Sequence, residues 1–373
     1  MKIRLYDMKF GESIFIQDSC VPSSEGILVD CGSLEKITKI KPTYDTIYND
    51  MQSFLNPDIL ITHFHLDHIS GLLYFAKNKK PIFNNLYIPD IFNLISSSQI
   101  VTLILINFLL QSFRVFPKSP FTLYDLAIGL CSTSRNIKFL KRDVIFRDNY
   151  IALTPFQEDI SKCADSLYND LDQIDPNWNI VSQNFIKMVV SCANGEHFDQ
   201  NLIATYNLSI NNGMNEDIKR FSENNSQRKS LNEFAHKVNI VFQNIKNSPM
   251  KNILFTGDSE IMQLDKLKKL GDFHGQYELY KIPHHGTKAH LFKDINSNKA
   301  IISHAERGKP NAKPRKTDWH ICSDYHLKNY CFYCTNCNGC EERLNNINIP
   351  QYCKKGGNHL VFGSNYDYLD IPI

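Results

Sequence analysis

Apolar and polar positions set out a succession of short strands at the start of the chain. Residues 2–8 alternate, SIFIQ at 13–17 is a short apolar run, and GILVD at 26–30 is another, just ahead of the turn CGS. The first sixty residues therefore read as β. ILIT at 59–62 predicts a short buried strand that runs straight into His63, and residues 69–77 have helical period. A brief strand follows at 86–89, then helices over 90–135 that form an insertion. Residues 137–153 divide into three short strands, IKFL, DVIF and YIAL. From 160 to 250 the pattern is mixed and rich in Asn. Helices are predicted at 175–191 and 217–237, and the polar stretch 222–230 interrupts this region. Strands return at 239–243, 252–256, 280–282 and 300–303. No repeat is visible. Strands open both halves and helices fill the gaps, which predicts an α/β sandwich with its motifs at strand ends.

One segment invites a membrane test. Residues 91–113 carry no charge, and IVTLILINFLL at 100–110 is densely apolar. A spanning helix needs roughly 20 mostly apolar residues. Here Asn93, Ser96, Ser97, Ser98, Gln99, Thr102 and Asn107 dilute the stretch, so it reads as a buried or interface-forming helix. It could cap a site, dimerise or touch a membrane. The opening MKIRLYDMKFGES has charges where a signal peptide would be apolar, and the expected location is the cytoplasm.

The 373 residues suit one large domain or two ordinary ones, and 42% apolar against 21% charged residues provides for a sizeable core. Lys+Arg 41 against Asp+Glu 39 excludes a globally basic surface, so any site for nucleic acid must be local. The unusual counts are 13 His and 11 Cys.

The histidines are placed where chemistry can use them. Thr62-His63-Phe64-His65-Leu66-Asp67-His68 puts four potential ligands directly after an apolar strand. His63 and His65 are two apart, so in extended backbone they project to one side. Asp67 and His68 then fall in the turn into the next helix. One short loop can thus serve two adjacent metals, and imidazole with carboxylate suits Zn²⁺, and also Mn²⁺ or Fe.

HFHLDH resembles the signature of the metallo-β-lactamase fold superfamily. ILFTGD at 253–258 resembles the segment whose aspartate, here Asp258, bridges two metals. KIPHHGT at 281–287 resembles the last histidine motif of the branch that includes the hydrolase domain of the competence protein ComEC. GILVDCG at 26–32 is similar to the early strand that supports the site. The resemblance implies a four-layer αββα sandwich with the site at one sheet edge. It implies a hydrolase domain over 1–320, with a terminal β-hairpin at 321–373 in the same domain. His63 and His65 would hold a first metal, Asp67 and His68 a second, with Asp258 between them. One of His284 and His285, taken as His285, would complete the ligands of the second metal, and the other could contact substrate or donate a proton. Asp67, His284 and His285 are the catalytic candidates. Two divalent ions, Zn or Mn, would activate a water for in-line displacement.

Two departures stand out. The superfamily usually supplies a further histidine to the first metal from a mid-chain strand. By position that strand is YIALTP at 150–155, where Thr154 stands instead; the nearby candidates are Glu158, Asp159 and, further on, His197. The related branch often has His-Pro where this chain has Lys313-Pro314-Arg315; His304 could compensate. Residues 299–316 are strongly basic, and Lys313 and Arg315 are candidate substrate contacts for a phosphate-containing molecule. A phosphodiesterase or nuclease acting on nucleic acid or nucleotides is the leading expectation. Its rivals are a lactone, thioester or β-lactam hydrolase and a non-catalytic binding protein that keeps the fold.

Six of the 11 cysteines lie between Cys322 and Cys353. Cys331, Cys334, Cys337 and Cys340 form overlapping CxxC units that could hold a structural zinc in a small knuckle inserted in the terminal hairpin. A redox or disulfide cluster, unliganded thiols and an iron–sulfur cluster are the other readings. Cys20, Cys31, Cys131, Cys163 and Cys192 are scattered and read as ordinary buried thiols.

Overall fold

The computed structural model describes residues 1–17, 25–54, 56–78, 83–171, 174–196, 206–246, 248–286, 290, 292, 294–303, 331–334 and 368–373. Strands β1 (Lys2–Tyr6), β2 (Gly11–Gln17), β3 (Gly26–Ser33), β4 (Asp58–Leu60), β5 (Phe83–Pro89), β6 (Ser134–Leu140) and β14 (Tyr368–Pro372) form one sheet, in the order β14-β1-β2-β3-β4-β5-β6. The other sheet contains β7 (Ile145–Phe146), β8 (Tyr150–Ala152), β9 (Phe242–Asn244), β10 (Ile253–Phe255), β11 (Tyr277–Lys281), β12 (Ser297–Ile302) and β13 (Cys331–Cys334), in the order β13-β12-β11-β10-β9-β8-β7. Both sheets are mixed. Strands β3 to β6 run parallel in the first, and β10 to β13 in the second.

Strand alternation explains how the sheets pack. Ile14 and Ile16 of β2 and Ile27 and Val29 of β3 join Ile253, Phe255, Leu279 and Ile301 from the other sheet in one buried cluster. Successive side chains point to opposite faces. Phe15 and Leu28 therefore turn the other way, into a large cluster of helical side chains. On the second sheet Leu254, Tyr280 and Ile302 likewise turn away from the shared core, towards α9 (Ile261–Leu270), whose Leu264 and Leu267 cover them. The α/β sandwich predicted from the sequence is present at this level.

The first sixty residues are not all β. Residues Ile37–Gln52 form α1, whose Ile40, Tyr44, Ile47, Tyr48 and Met51 recur at helical spacing and are buried against the first sheet. Charged residues and Pro42 break up its pattern in sequence, and the helix keeps Pro42 inside it because the buried face packs on the sheet. The other helices on this face are α2 (Leu66–Asn78), α3 (Ser97–Val115), α4 (Leu123–Ser132), α5 (Gln157–Asp170), α6 (Asn177–Ala193), α7 (Asn212–Glu223) and α8 (Asn225–Lys237). Helix α5 lies in the stretch read as mixed. The single helix predicted over 217–237 is two helices, because Asn224 leaves helical geometry and its side chain caps α8, accepting from the N–H groups of Ser226 and Gln227.

Helix α3 is long and apolar enough by composition to cross a membrane, yet 67% of its apolar window is buried within the protein. It packs against α5, α6, α7 and α8. Its polar residues have local partners: Thr102 and Ser182 share a hydrogen bond of 2.7 Å, and the Ser112 hydroxyl donates to the Phe121 carbonyl. Of the expected Cys knuckle, the backbone of Cys331–Cys334 is strand β13, paired parallel with β12. Cys337 and Cys340 lie outside the described residues. Cys31, Cys131 and Cys192 are buried free thiols, and Cys163 is half-buried.

Leu105 of α3 is fully buried. Leu105→Ala should lower the free energy of unfolding in detergent-free buffer by about 2–5 kcal/mol. A change within about 0.5 kcal/mol, as at an exposed site, would contradict this core placement.

Candidate metal centre

The parallel strands of both sheets end at the same place. Thr62 and His63 follow β4 directly, and His65 leads into α2, accepting the first backbone bonds of that helix from His68 and Ile69. Gly257 and Asp258 follow β10, and His284 and His285 follow β11. The backbone N–H of Ile240 donates to the Thr62 carbonyl, joining the two halves beside the site. Clefts at the carboxyl ends of parallel strands are the usual place for ligands in open α/β sheets.

Two glycines make the close approach possible. A Cβ on Gly32 would lie 2.3 Å from the backbone nitrogen of His68, so the HLDH turn can rest on β3 only because that atom is absent. Gly257 has φ +49°, and a Cβ there would lie 2.0 Å from Asn239 Oδ1. That oxygen instead accepts from the N–H of Asp258 and fixes the aspartate in place.

Three histidines are oriented by acceptors behind them. His68 Nδ1 lies 2.8 Å from Asp30 Oδ2, and His285 Nδ1 lies 2.8 Å from the Ser303 carbonyl. Both partners can only accept, so each Nδ1 carries a proton and each Nε2 is the nitrogen left to face a cation. The Thr62 hydroxyl donates to Asp30 at 2.8 Å, so it accepts from His63 Nδ1 at 3.1 Å. His63 Nε2 is then left to face a cation as well. Acceptors behind ligating imidazoles are the supporting arrangement seen at metal sites.

The freed nitrogens converge on Asp258. Its Oδ2 is 3.3 Å from His68 Nε2 and 3.9 Å from the Nε2 atoms of His63, His284 and His285. Asp67 Oδ2 is 3.4 Å from His285 Nε2, and His63 Nε2 is 3.0 Å from His65 Nδ1. A tetrahedral zinc with Zn–N bonds of 2.0–2.1 Å has ligand atoms roughly 3.3 Å apart. The pairs here already stand close to that spacing.

Two candidate ligand sets result. His63, His65, His236 and Asp258 form the first, and Asp67, His68 and His285 the second, with Asp258 beside both. The set fits a metal pair on a further ground. Among the described residues, buried Nε2 of His65, His68 and His285, Oδ1 of Asp258 and both ring nitrogens of His236 have no hydrogen-bond partner. Orphaned polar atoms are rare in protein interiors, and here they cluster around two points.

His236, missed from sequence, joins His63, His65 and Asp258, and Thr154 does not. Thr154 is buried, but its hydroxyl donates to the Asn239 carbonyl and accepts from the N–H of Val241, stitching β8 to the strand beside it. Glu158 and Asp159 point to solvent, and Asp159 pairs with Lys266. His197, His304, Lys313 and Arg315 lie outside the described residues. The third imidazole comes instead from the last turn of α8, just before the chain enters β9. A histidine between a helix and an apolar strand, close to Asn239, was the available signal.

Beneath the site is a buried ion pair that the sequence reading also missed. Lys281 and Glu12 are both fully buried and 2.6 Å apart. Lys281 Nζ also donates to the Gly257 carbonyl at 2.9 Å and lies 3.8 Å from Asp258 Oδ1. It therefore holds the turn that carries Asp258.

Burial pushes His63 and His236 well below the usual imidazole range, with help from neighbouring histidines, and takes His65 down to about 4 and His284 to about 3. Burial acts downward on His68 and His285 too. There it is outweighed by Asp258 with Asp30, and by Asp258 with Asp67, so both are raised. Burial would lift Asp67 and Asp258, but the surrounding histidines hold both down.

No family model matches the chain, and no curated protein matches its sequence.

These shifts set a pH dependence. Below about pH 6.5 the unfolded chain protonates His63, His65, His236 and His284, while the folded chain keeps them neutral. His68 and His285, raised in the folded chain, gain stability over the same window and offset part of this loss, but they are two groups against four. The urea midpoint of metal-free protein should therefore fall between pH 7 and pH 5. A midpoint that held steady or rose would contradict the buried, neutral imidazoles.

Proposed function

We propose that this chain is a metal-dependent hydrolase of the metallo-β-lactamase fold superfamily, built as a four-layer αββα sandwich, and that it cleaves phosphodiester bonds in nucleic acid or nucleotides. The observation that carries the reading is the convergence of three acceptor-pinned histidines, His63, His68 and His285, on Asp258. A fold that binds no cation would have no physical reason to keep so many polar atoms buried and unsatisfied.

The residues divide the work. His63, His65 and His236 would hold one cation, and Asp67, His68 and His285 the other, with Asp258 serving both. Bound there, a pair of divalent cations would acidify a water and neutralise charge developing on the attacking and departing oxygens. Asp30 and Ser303 fix the imidazole tautomers, and Lys281 fixes the Asp258 turn. Asp67 and His285 thus serve as ligands, and His284 stands beside them at the more open side, its side chain 25% exposed.

Charge favours an anionic substrate. The Glu12–Lys281 pair is neutral as a unit, which leaves Asp30, Asp67 and Asp258 with three negative charges. Two divalent cations more than cancel these, and the site becomes net positive while its imidazoles are neutral. A phosphodiester monoanion suits that balance better than a neutral lactone or amide. The basic stretch containing Lys313 and Arg315 supports the same substrate class from sequence.

Protein loaded with Mn²⁺ or Zn²⁺ should hydrolyse bis(p-nitrophenyl) phosphate and at least one of single-stranded DNA and RNA. His65→Ala and Asp258→Ala should each lower kcat/KM at least about 100-fold, equivalent to roughly 3 kcal/mol of transition-state stabilisation. Turnover of lactones or thioesters alone would overturn the substrate class. Absence of any turnover, or an unaffected variant, would overturn the hydrolase reading.

A further inference from the structure

His236 stands midway between two imidazole pairs. On one side are His63 and His65, whose facing nitrogens are 3.0 Å apart. On the other are His284 and His290, whose facing nitrogens, Nδ1 and Nε2, are 2.9 Å apart. The ring of His236 lies 4.7 Å from that of His65 and 4.7 Å from that of His284. It lies 5.6 Å from His63 and 5.7 Å from His290. Neither of its nitrogens has a hydrogen-bond partner among the described residues, and it is only 2% exposed.

The outer pair is as well prepared as the inner one. His290 Nδ1 is 3.1 Å from the Ser259 carbonyl, which can only accept, so His290 Nε2 holds a lone pair facing His284. His236, His284 and His290 thus form a three-imidazole set of their own. Three neutral imidazoles suit a borderline divalent cation such as Zn²⁺ or Co²⁺. This set has no carboxylate of its own, so it holds a cation less strongly than the inner set, which includes Asp258.

Access differs in the same direction. His63, His65, His236 and Asp258 are all at most 3% exposed, while His284 and His290 are half-buried. A cation arriving from water meets the outer pair first. Simultaneous filling of inner and outer positions is disfavoured, because three divalent cations would far exceed the three negative charges of the site and two of them would share His236.

We propose that His236, His284 and His290 form a transient outer cation position, from which the first metal passes to His63, His65 and Asp258 while His236 remains a ligand throughout. The inference rests on the two-metal reading above and concerns how that site is filled. His290 belongs only to the outer position.

The test is the kinetics of Zn²⁺ and Co²⁺ uptake by metal-free full-length protein, with release to a chromophoric chelator measured in parallel. Wild type should take up two equivalents more than Asp258→Ala, a difference that removes any zinc held by the cysteine segment. His290→Ala should also reach this difference with unchanged equilibrium affinity, but uptake and release should both slow by about tenfold, the scale on which loss of a supporting group changes a metal site. His290→Cys, which keeps a metal-binding side chain, should restore both rates. Unchanged rates in His290→Ala, or altered affinity with unaltered uptake, would overturn the outer position and leave the two-metal site standing. Failure of wild type to bind two equivalents more than Asp258→Ala would overturn both.

Discussion

One buried carboxylate sets the geometry on which the rest of the centre depends. Asp30, at φ +57° within β3, accepts from the Thr62 N–H at 2.7 Å, the Thr62 hydroxyl at 2.8 Å and His68 Nδ1 at 2.8 Å. Through Thr62 it also directs His63. A single side chain on a central strand thus orients both ends of the HFHLDH loop. The unusual backbone angle of Asp30 is held in place by these three bonds and by full burial. Removing one partner of such a buried charged cluster typically costs about 3–5 kcal/mol, because the others remain uncompensated.

The second sheet contributes a matching half, held by a different device. Asp258 is placed by Asn239 and by the ammonium of Lys281, which the turn before it and Glu12 of the first sheet both contact. Glu12 and Lys281 therefore fasten the two sheets together directly beneath the centre. The apolar core between the sheets fixes their separation, and this ion pair makes their relative position specific to the site.

His236 links the helical layer to the same chemistry. It ends α8, whose Leu231, Phe234 and Ala235 are packed in the helical core. Gln111 of α3 accepts from the N–H of Leu66 at the start of α2 and donates to Asn232 of α8. The HFHLDH loop and the helix that carries His236 are therefore braced against each other. A cation bound on the proposed reading would add its binding free energy to this bracing.

How much of this the sequence disclosed follows from how local each feature is. His63, His65, Asp67 and His68 were legible because one strand and one turn place all four. Asp258 and the His284-His285 pair were legible because each follows an apolar strand in a recognisable order. His236 was not, because several helices separate it from the strand where a histidine was expected, and only tertiary packing returns it to the centre. Glu12 and Lys281 were hidden by the alternation of their strands, where a charged residue normally faces water. Helix α1 was hidden by its charges and Pro42. The layered sandwich was visible in outline, since strand alternation gives faces but not which helix covers them. On the proposed reading two cations share Asp258, and His236 completes the first set. Anomalous scattering at the metal absorption edge, from crystals of protein grown with Zn²⁺, tests it most directly. Two peaks are predicted, one among His63, His65 and His236 and the other among Asp67, His68 and His285, both against Asp258; a single peak, or a first peak without His236 beside it, would contradict the account.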